Sequence, residues 1–262
     1  MVPDGWGGDI MGRLQGQVVA VVGGSSGMGR VTALALGREG AHVLVGARRL
    51  DLCERVAREI REAGGAAQAH AIDATDAISV AAFFGFVRAQ YGRLDGAFNN
   101  VGRTLGSSPT LETPLDRFEQ TVAFNLRSTF LCMQQELQLM QPQGSGAIVN
   151  NSSIGGTRGF AGLQDYCAAK WGVIGLSKSA ALEAAACNVR INVIAPGLVA
   201  TERFDLIRTQ QPAVIESRLK EIPLSRPGRM LEVAETVVWL LSPDAGFLTG
   251  AVIPLDGGEC AR

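Results

Sequence analysis

Short runs of consecutive apolar, largely β-branched residues alternate along this chain with longer stretches whose apolar positions recur at helical spacing. A run that is apolar on both faces reads as a strand covered on both sides, the condition of a parallel sheet between two layers of helices. Such runs fall at residues 18–22, 42–46, 67–72, 94–99, 147–151 and 189–195, with a last short one at 251–254. Helical patterns occupy 27–38, 50–62, 78–91, 115–140, 163–186 and 231–241, the 115–140 stretch being expected as one long helix. Strand and helix taking turns in this way predict an α/β fold, a doubly wound parallel sheet in a single domain spanning residues 13–262. Residues 197–227 break the rhythm with Pro212, Pro223, Pro227 and mixed apolar and charged positions. A departure of that length in a compact domain predicts a lid over a substrate site. Residues 1–12 are glycine-rich, carry Asp4 and Asp9 and lack a basic n-region, so they are expected to form a flexible extension and not a secretory signal.

Composition narrows the function classes. Of 262 residues, 47% are hydrophobic and 19% charged, which places the chain among globular proteins. The formal net charge of −1 offers no electrostatic footprint for nucleic acid or an anionic membrane, and no apolar run approaches membrane-spanning length. The five cysteines are odd in number and never form a C-x-x-C pair, as expected of reduced thiols in a cytoplasmic protein. With only His42 and His70, the chain has little material for a histidine metal site or a Ser-His-Asp triad, and no metal is expected.

Immediately after the first strand run comes Gly23-Gly24-Ser25-Ser26-Gly27-Met28-Gly29, opening into a helix. Glycines there allow a tight turn and close approach to a pyrophosphate, while the helix start presents free N–H groups and the positive end of its dipole. The spacing is G-x-x-x-G-x-G and not the commoner G-x-G-x-x-G, but its place after a β-branched strand marks Gly23, Ser25, Ser26, Gly27, Met28 and Gly29 as the dinucleotide loop of a Rossmann-type fold. The second strand run ends in Gly46-Ala47-Arg48-Arg49, with no carboxylate before Asp51. A carboxylate at that point suits the ribose of NAD(H), whereas arginine pairs with a 2′-phosphate, so Arg48 and Arg49 predict NADP(H). Asp73, followed by Ala74, lies just past the third strand run, where it would accept from an adenine amino group or cap a helix. Asn99-Asn100-Val101-Gly102 follows the fourth, at the sheet edge where ligands bind, suited to cradling a cofactor or to tying loops together.

Tyr166 and Lys170 stand four residues apart in a helical pattern, so their side chains share a face, and Ser153 lies thirteen residues before the tyrosine. An ammonium beside a phenol favours the phenolate and would bring a group of ordinary pKa about 10 nearer to neutrality.

Together these segments resemble the short-chain dehydrogenase/reductase family over residues 17–258. The resemblance rests on the glycine loop, the Asn99–Gly102 tetrad, Asn125, Ser153, Tyr166, Lys170, Pro196-Gly197, Phe247-Leu248-Thr249-Gly250 and Asp256-Gly257-Gly258. It implies that Tyr166 is the general acid in reduction and the base in oxidation, that Lys170 binds the nicotinamide ribose and lowers the tyrosine pKa, and that Ser153 steadies the substrate oxygen. Asn125 would hold a water linking Lys170 to solvent, while Pro196, Gly197, Val199 and Thr201 would close around the nicotinamide. The small-molecule substrate would be a carbonyl compound or alcohol, and the assembly a homo-oligomer, a tetramer before a dimer. The sequence departs from the family pattern at Val22, where threonine is usual, and at Val101, where alanine is usual; shifts in affinity or packing are expected from both. Arg103–Leu105, Ile154–Phe160, Leu198 and the 197–227 segment should form the substrate wall, with Arg103 and Arg158 as recruiters of an anionic substrate or as solvated side chains. A non-catalytic NADP-sensing protein is the alternative reading, and lyase or epimerase chemistry on the same scaffold a third.

Overall fold

The structure is a computed structural model that describes residues 12–261. The expected extension therefore lies, apart from Gly12, outside the described residues. Seven strands, β1 (Val18–Val22), β2 (His42–Ala47), β3 (Ala66–Ala71), β4 (Gly96–Asn99), β5 (Gly146–Asn151), β6 (Val189–Pro196) and β7 (Val252–Leu255), form one parallel sheet in the order β3-β2-β1-β4-β5-β6-β7. Its strands are buried on both faces because successive side chains point to opposite sides. In β1, Val19 and Val21 enter one apolar core while Val18, Ala20 and Val22 enter the other.

Helices α1 (Gly27–Arg38), α2 (Leu50–Glu62) and α9 (Met230–Leu241) cover the first face, α1 packing along α9. Helices α3 (Ala77–Tyr91), α5 (Ser128–Gln143) and α6 (Gln164–Ala184) cover the second. The order of strands reverses between β1 and β4, and the crevice at the carboxyl ends of the strands there is the natural ligand site of such a sheet.

One expectation is corrected. The long helix of residues 115–140 is interrupted: α4 (Leu115–Val122) passes through a π turn at Ala123–Arg127 before α5 begins. Side chains compete with the helical ladder at that point, since Asn125 Nδ2 donates to the Thr121 carbonyl (2.9 Å), Ser128 Oγ to that of Phe124 (2.7 Å) and Thr129 Oγ1 to that of Asn125 (3.2 Å). Residues 197–227 hold two helices, α7 (Glu202–Gln210) and α8 (Pro212–Glu221). Thr201 caps the first through its hydroxyl and Pro212 opens the second, where its missing N–H costs nothing.

Candidate active site

A cavity of about 1080 Å³ opens at the carboxyl ends of the strands and gathers residues from nearly the whole length of the chain. Gly23, Ser25, Ser26, Gly27 and Met28 line it from the β1–α1 turn, Arg48 and Arg49 from the end of β2, and Asp73 and Ala74 from the end of β3. Asn100, Val101 and Gly102 follow from β4, Ser153 from β5, Tyr166 and Lys170 from α6, and Pro196, Gly197, Val199 and Thr201 from β6 and the start of the 197–227 segment. Gly29 lies just behind this surface, in the first turn of α1. A side chain there is impossible without movement, because a Cβ would sit 2.1 Å from the Gly23 carbonyl oxygen.

The loops are tied to one another by the asparagines. Asn100 Nδ2 donates to the Gly23 carbonyl (3.3 Å) and its Oδ1 accepts from Asn151 Nδ2 (2.7 Å). Asn99 points the other way, into the core, donating to Glu136 Oε2 (3.0 Å) and to Asn150 Oδ1 (2.9 Å). Glu136 is fully buried and its other oxygen has no partner, so burial raises its carboxyl pKa to about 8. Asp73 does not cap the following helix. Its Oδ1 accepts from the backbone and hydroxyl of Thr75 (2.9 and 2.7 Å), and Asp76 caps α3 instead.

At the floor of the cavity Lys170 is buried and donates from Nζ to the Asn151 carbonyl (2.8 Å), with the Tyr166 ring centroid 5.8 Å away. Burial pulls the ammonium down to about 7. The Tyr166 phenol moves the opposite way: burial raises it, while a hydrogen bond with Ser153 and the charge of Arg203 pull it back. The charge of Arg203 thus bears on the phenol from the lid side, with the Lys170 ammonium on the same helix face as the tyrosine. Ser153 Oγ accepts from the Gly155 N–H (3.1 Å), which holds the hydroxyl oxygen beside Tyr166. The neighbouring Asp165 is buried and accepts from Arg117 Nε (3.2 Å), Thr121 Oγ1 (3.0 Å) and the Tyr166 N–H (2.8 Å), pinning the first turn of α6 to α4.

Asn125 is held from both ends of its amide. Its amide clamps residue 103, accepting from the Arg103 N–H and donating to the Arg103 carbonyl (3.0 Å each), besides the bond to Thr121. Gly102 is what lets this clamp meet the lysine. Its φ is +149°, and a Cβ there would lie 2.4 Å from Asn125 Oδ1 and 2.9 Å from Lys170 Nζ.

The arginines expected in the substrate wall are otherwise occupied. Arg103 stacks 4.6 Å over the Phe124 ring, which it shares with Arg48 at 5.7 Å, on the side of the β2 end. Arg158 pairs with buried Glu259, as does Arg218 (2.8 Å), and the two guanidinium groups sandwich Phe160 at 4.5 and 5.0 Å. Sequence reasoning did not single out Phe124, Asp165, Glu202 or Arg203. No local pattern flags them, since each is placed by a contact with a distant segment.

A family model described as enoyl-(acyl carrier protein) reductase matches residues 22–259. Levodione reductase of Leifsonia aquatica is 36% identical over 256 residues, covering 95% of this chain and 96% of that protein. The chain belongs to the short-chain dehydrogenase/reductase family. The cis-4-hydroxycyclohexanecarboxylate dehydrogenase of Sinomonas cyclohexanicum is 38% identical, covering 96% of this chain and all of that one. A crystal structure of levodione reductase superposes with a TM-score of 0.91 at 34% identity, covering 95% of this chain and 99% of that one. One of ElxO with NADP bound gives 0.89 at 31% identity, covering 95% of this chain and all of that one. The protein is therefore an oxidoreductase of a family that uses a nicotinamide cofactor.

The residues present fit that group. The first backbone N–H of α1, that of Gly27, already meets an anionic group, donating to the Glu202 carboxylate at 3.4 Å. A pyrophosphate would take the place this carboxylate holds at the helix start.

Proposed function

We propose that the protein is an NADP(H)-dependent oxidoreductase that interconverts a ring ketone and the corresponding secondary alcohol, with Tyr166 exchanging the proton. The convergence of Ser153, Tyr166 and Lys170 on one cavity that also holds the glycine loop supports this best. The nicotinamide, when bound, supplies or removes the hydride. Tyr166 donates its phenolic proton to the carbonyl oxygen in reduction and takes it back from the alcohol in oxidation. A phenol held protonated by burial is the form that reduction needs. Ser153, its oxygen held in place by the Gly155 N–H, donates to the same oxygen as charge develops there. Lys170 holds the nicotinamide ribose hydroxyls and returns a proton to the phenolate. Asn125, whose side chain also clamps Arg103 and Thr121, would hold the water that links Lys170 to solvent.

Arg48 and Arg49 receive the 2′-phosphate. They are exposed at the cavity mouth, and Arg49 Nη2 reaches Ser26 Oγ (3.3 Å), so the guanidinium groups and the serine hydroxyl lie around one opening. Asp73 and Ala74 flank the adenine. Pro196, Gly197, Val199 and Thr201 border the nicotinamide, and residues 197–227 act as the lid. A ring substrate is supported by the cyclohexane ring in the name of one relative and by an apolar wall that includes Ile154, Leu198 and Phe204. We assign a homotetramer, because Phe118, Phe130, Trp171 and Leu182 leave an exposed apolar face on α4, α5 and α6. Sedimentation as a monomer at micromolar concentration would refute that assembly. The function is tested by following NADPH and NADH oxidation with cyclohexanone and substituted cyclohexanones. Turnover that prefers NADPH is expected, and no turnover of any ring ketone with either cofactor contradicts the reading.

A further inference from the structure

Six arginine or lysine side chains face the cavity: four are held by an ion pair, an aromatic ring or burial, and Arg49 lies at the glycine-loop end. Arg218 is paired with Glu259, Arg48 and Arg103 stack on Phe124, Arg49 reaches Ser26, and Lys170 is buried against the Asn151 carbonyl. Arg203, in the first turn of α7, differs. Among the described residues it has no carboxylate within ion-pair distance and no aromatic ring beneath it, and its guanidinium makes one bond, donating to Thr104 Oγ1 at 2.7 Å. Its backbone neighbour Glu202 turns to the glycine loop, so the two residues straddle the cavity from one point on the lid. Glu202 faces the cofactor end. Arg203 faces the end where Thr104 stands and close enough to Tyr166 for its charge to act on the phenol.

We infer that the substrate carries a carboxylate and that Arg203, with the Thr104 hydroxyl, is the group that binds it, orienting the reacting carbonyl toward Tyr166. This rests on the oxidoreductase reading above and names the substrate class for it: an oxo acid, or its hydroxy acid, with a compact apolar body. A guanidinium presents a planar fork that matches a carboxylate in two parallel hydrogen bonds. The apolar wall of Ile154, Leu163, Leu198, Phe204 and Ile207 suits the hydrocarbon between carboxylate and carbonyl. A single guanidinium beside the acidic side chains of Glu202 and Asp205 suits a monoanion better than a doubly charged phosphate. Glu202 and Asp205 are themselves turned away, to Gly27 and to Arg208 (3.0 Å).

The test compares 4-oxocyclohexanecarboxylate with its uncharged amide in wild type, Arg203→Leu and Arg203→Lys. Wild type should prefer the acid in kcat/KM by about 10- to 100-fold, the scale of one hydrogen bond to a charged group. The ratio of acid to amide should fall towards one in Arg203→Leu, mainly through KM for the acid, and recover in part in Arg203→Lys. A ratio that survives in Arg203→Leu overturns the assignment, as does a wild type without preference. A second readout does not depend on turnover. Cyclohexanecarboxylate should raise the melting temperature of wild type saturated with NADPH more than that of Arg203→Leu, whereas cyclohexanecarboxamide should not distinguish them. Equal shifts by the acid would overturn the carboxylate site. Failure of both ketones to turn over, with the difference in acid shift retained, would refute the reductase reading and leave the Arg203 site standing.

Discussion

The two ends of the cavity are built differently. At the proposed cofactor end the lining atoms belong to the backbone or to side chains tied to it: the Gly27 N–H, the Gly23 carbonyl held by Asn100, and the Arg103 peptide clamped by Asn125. These follow directly from where parallel strands stop, and the sheet fixes them. At the substrate end the decisive groups are long side chains on α7 and α8, Arg203 and Arg218, placed by bonds to residues 99 and 41 positions away. A site made of strand ends is shared across a family because the fold supplies it, whereas a site made of lid side chains can change its substrate with one substitution.

If that division is right, damage should sort by end. Tyr166→Phe, at the junction, should have the largest effect, lowering turnover by roughly 10²–10⁴-fold and leaving folding intact. Gly102→Ala should damage both ends at once, because its methyl group would drive Asn125 and Lys170 apart at a φ of +149°. A cost of roughly 1–3 kcal/mol in stability and a drop of a few degrees in melting temperature, with much reduced turnover, is the expected outcome in thermal unfolding and assay. Arg48→Ala should touch only the cofactor end, weakening NADPH by roughly 1.5–3 kcal/mol with NADH affinity unchanged.

One further effect lies outside both ends. Glu136 has a folded pKa of about 8, above the ordinary value of 4.5, so the fold prefers the neutral acid. Its stabilising contribution is complete below about pH 4.5 and is lost as the pH rises towards 8, where the carboxyl ionises in the core. Glu136→Gln should therefore melt higher than wild type at pH 8.5, with the gap narrowing by pH 5.5. A gap that widens on acidification would show the sign to be wrong.

Sequence named the loops that the structure gathers around the cavity at its proposed cofactor end, because each follows a strand that apolar runs mark plainly, and the loop residues are the small or polar types that suit a close backbone approach. It missed the break at Ala123–Arg127, since periodicity records which positions are apolar and not that Asn125, Ser128 and Thr129 bond to the helix carbonyls. It placed Asp73 as adenine partner or cap without seeing that Asp76, three residues on, is better set to cap α3. At the substrate end it picked Arg158, whose partner Glu259 lies 101 residues away, and passed over Arg203, whose sequence neighbours resemble any exposed helix start.

The separability of the two ends is tested most directly by titrating NADPH fluorescence against wild type, Tyr166→Phe and Arg48→Ala in parallel. The account predicts an unchanged dissociation constant for Tyr166→Phe and one raised about 10- to 150-fold for Arg48→Ala. Unchanged NADPH affinity in Arg48→Ala, or loss of it in Tyr166→Phe, would contradict it.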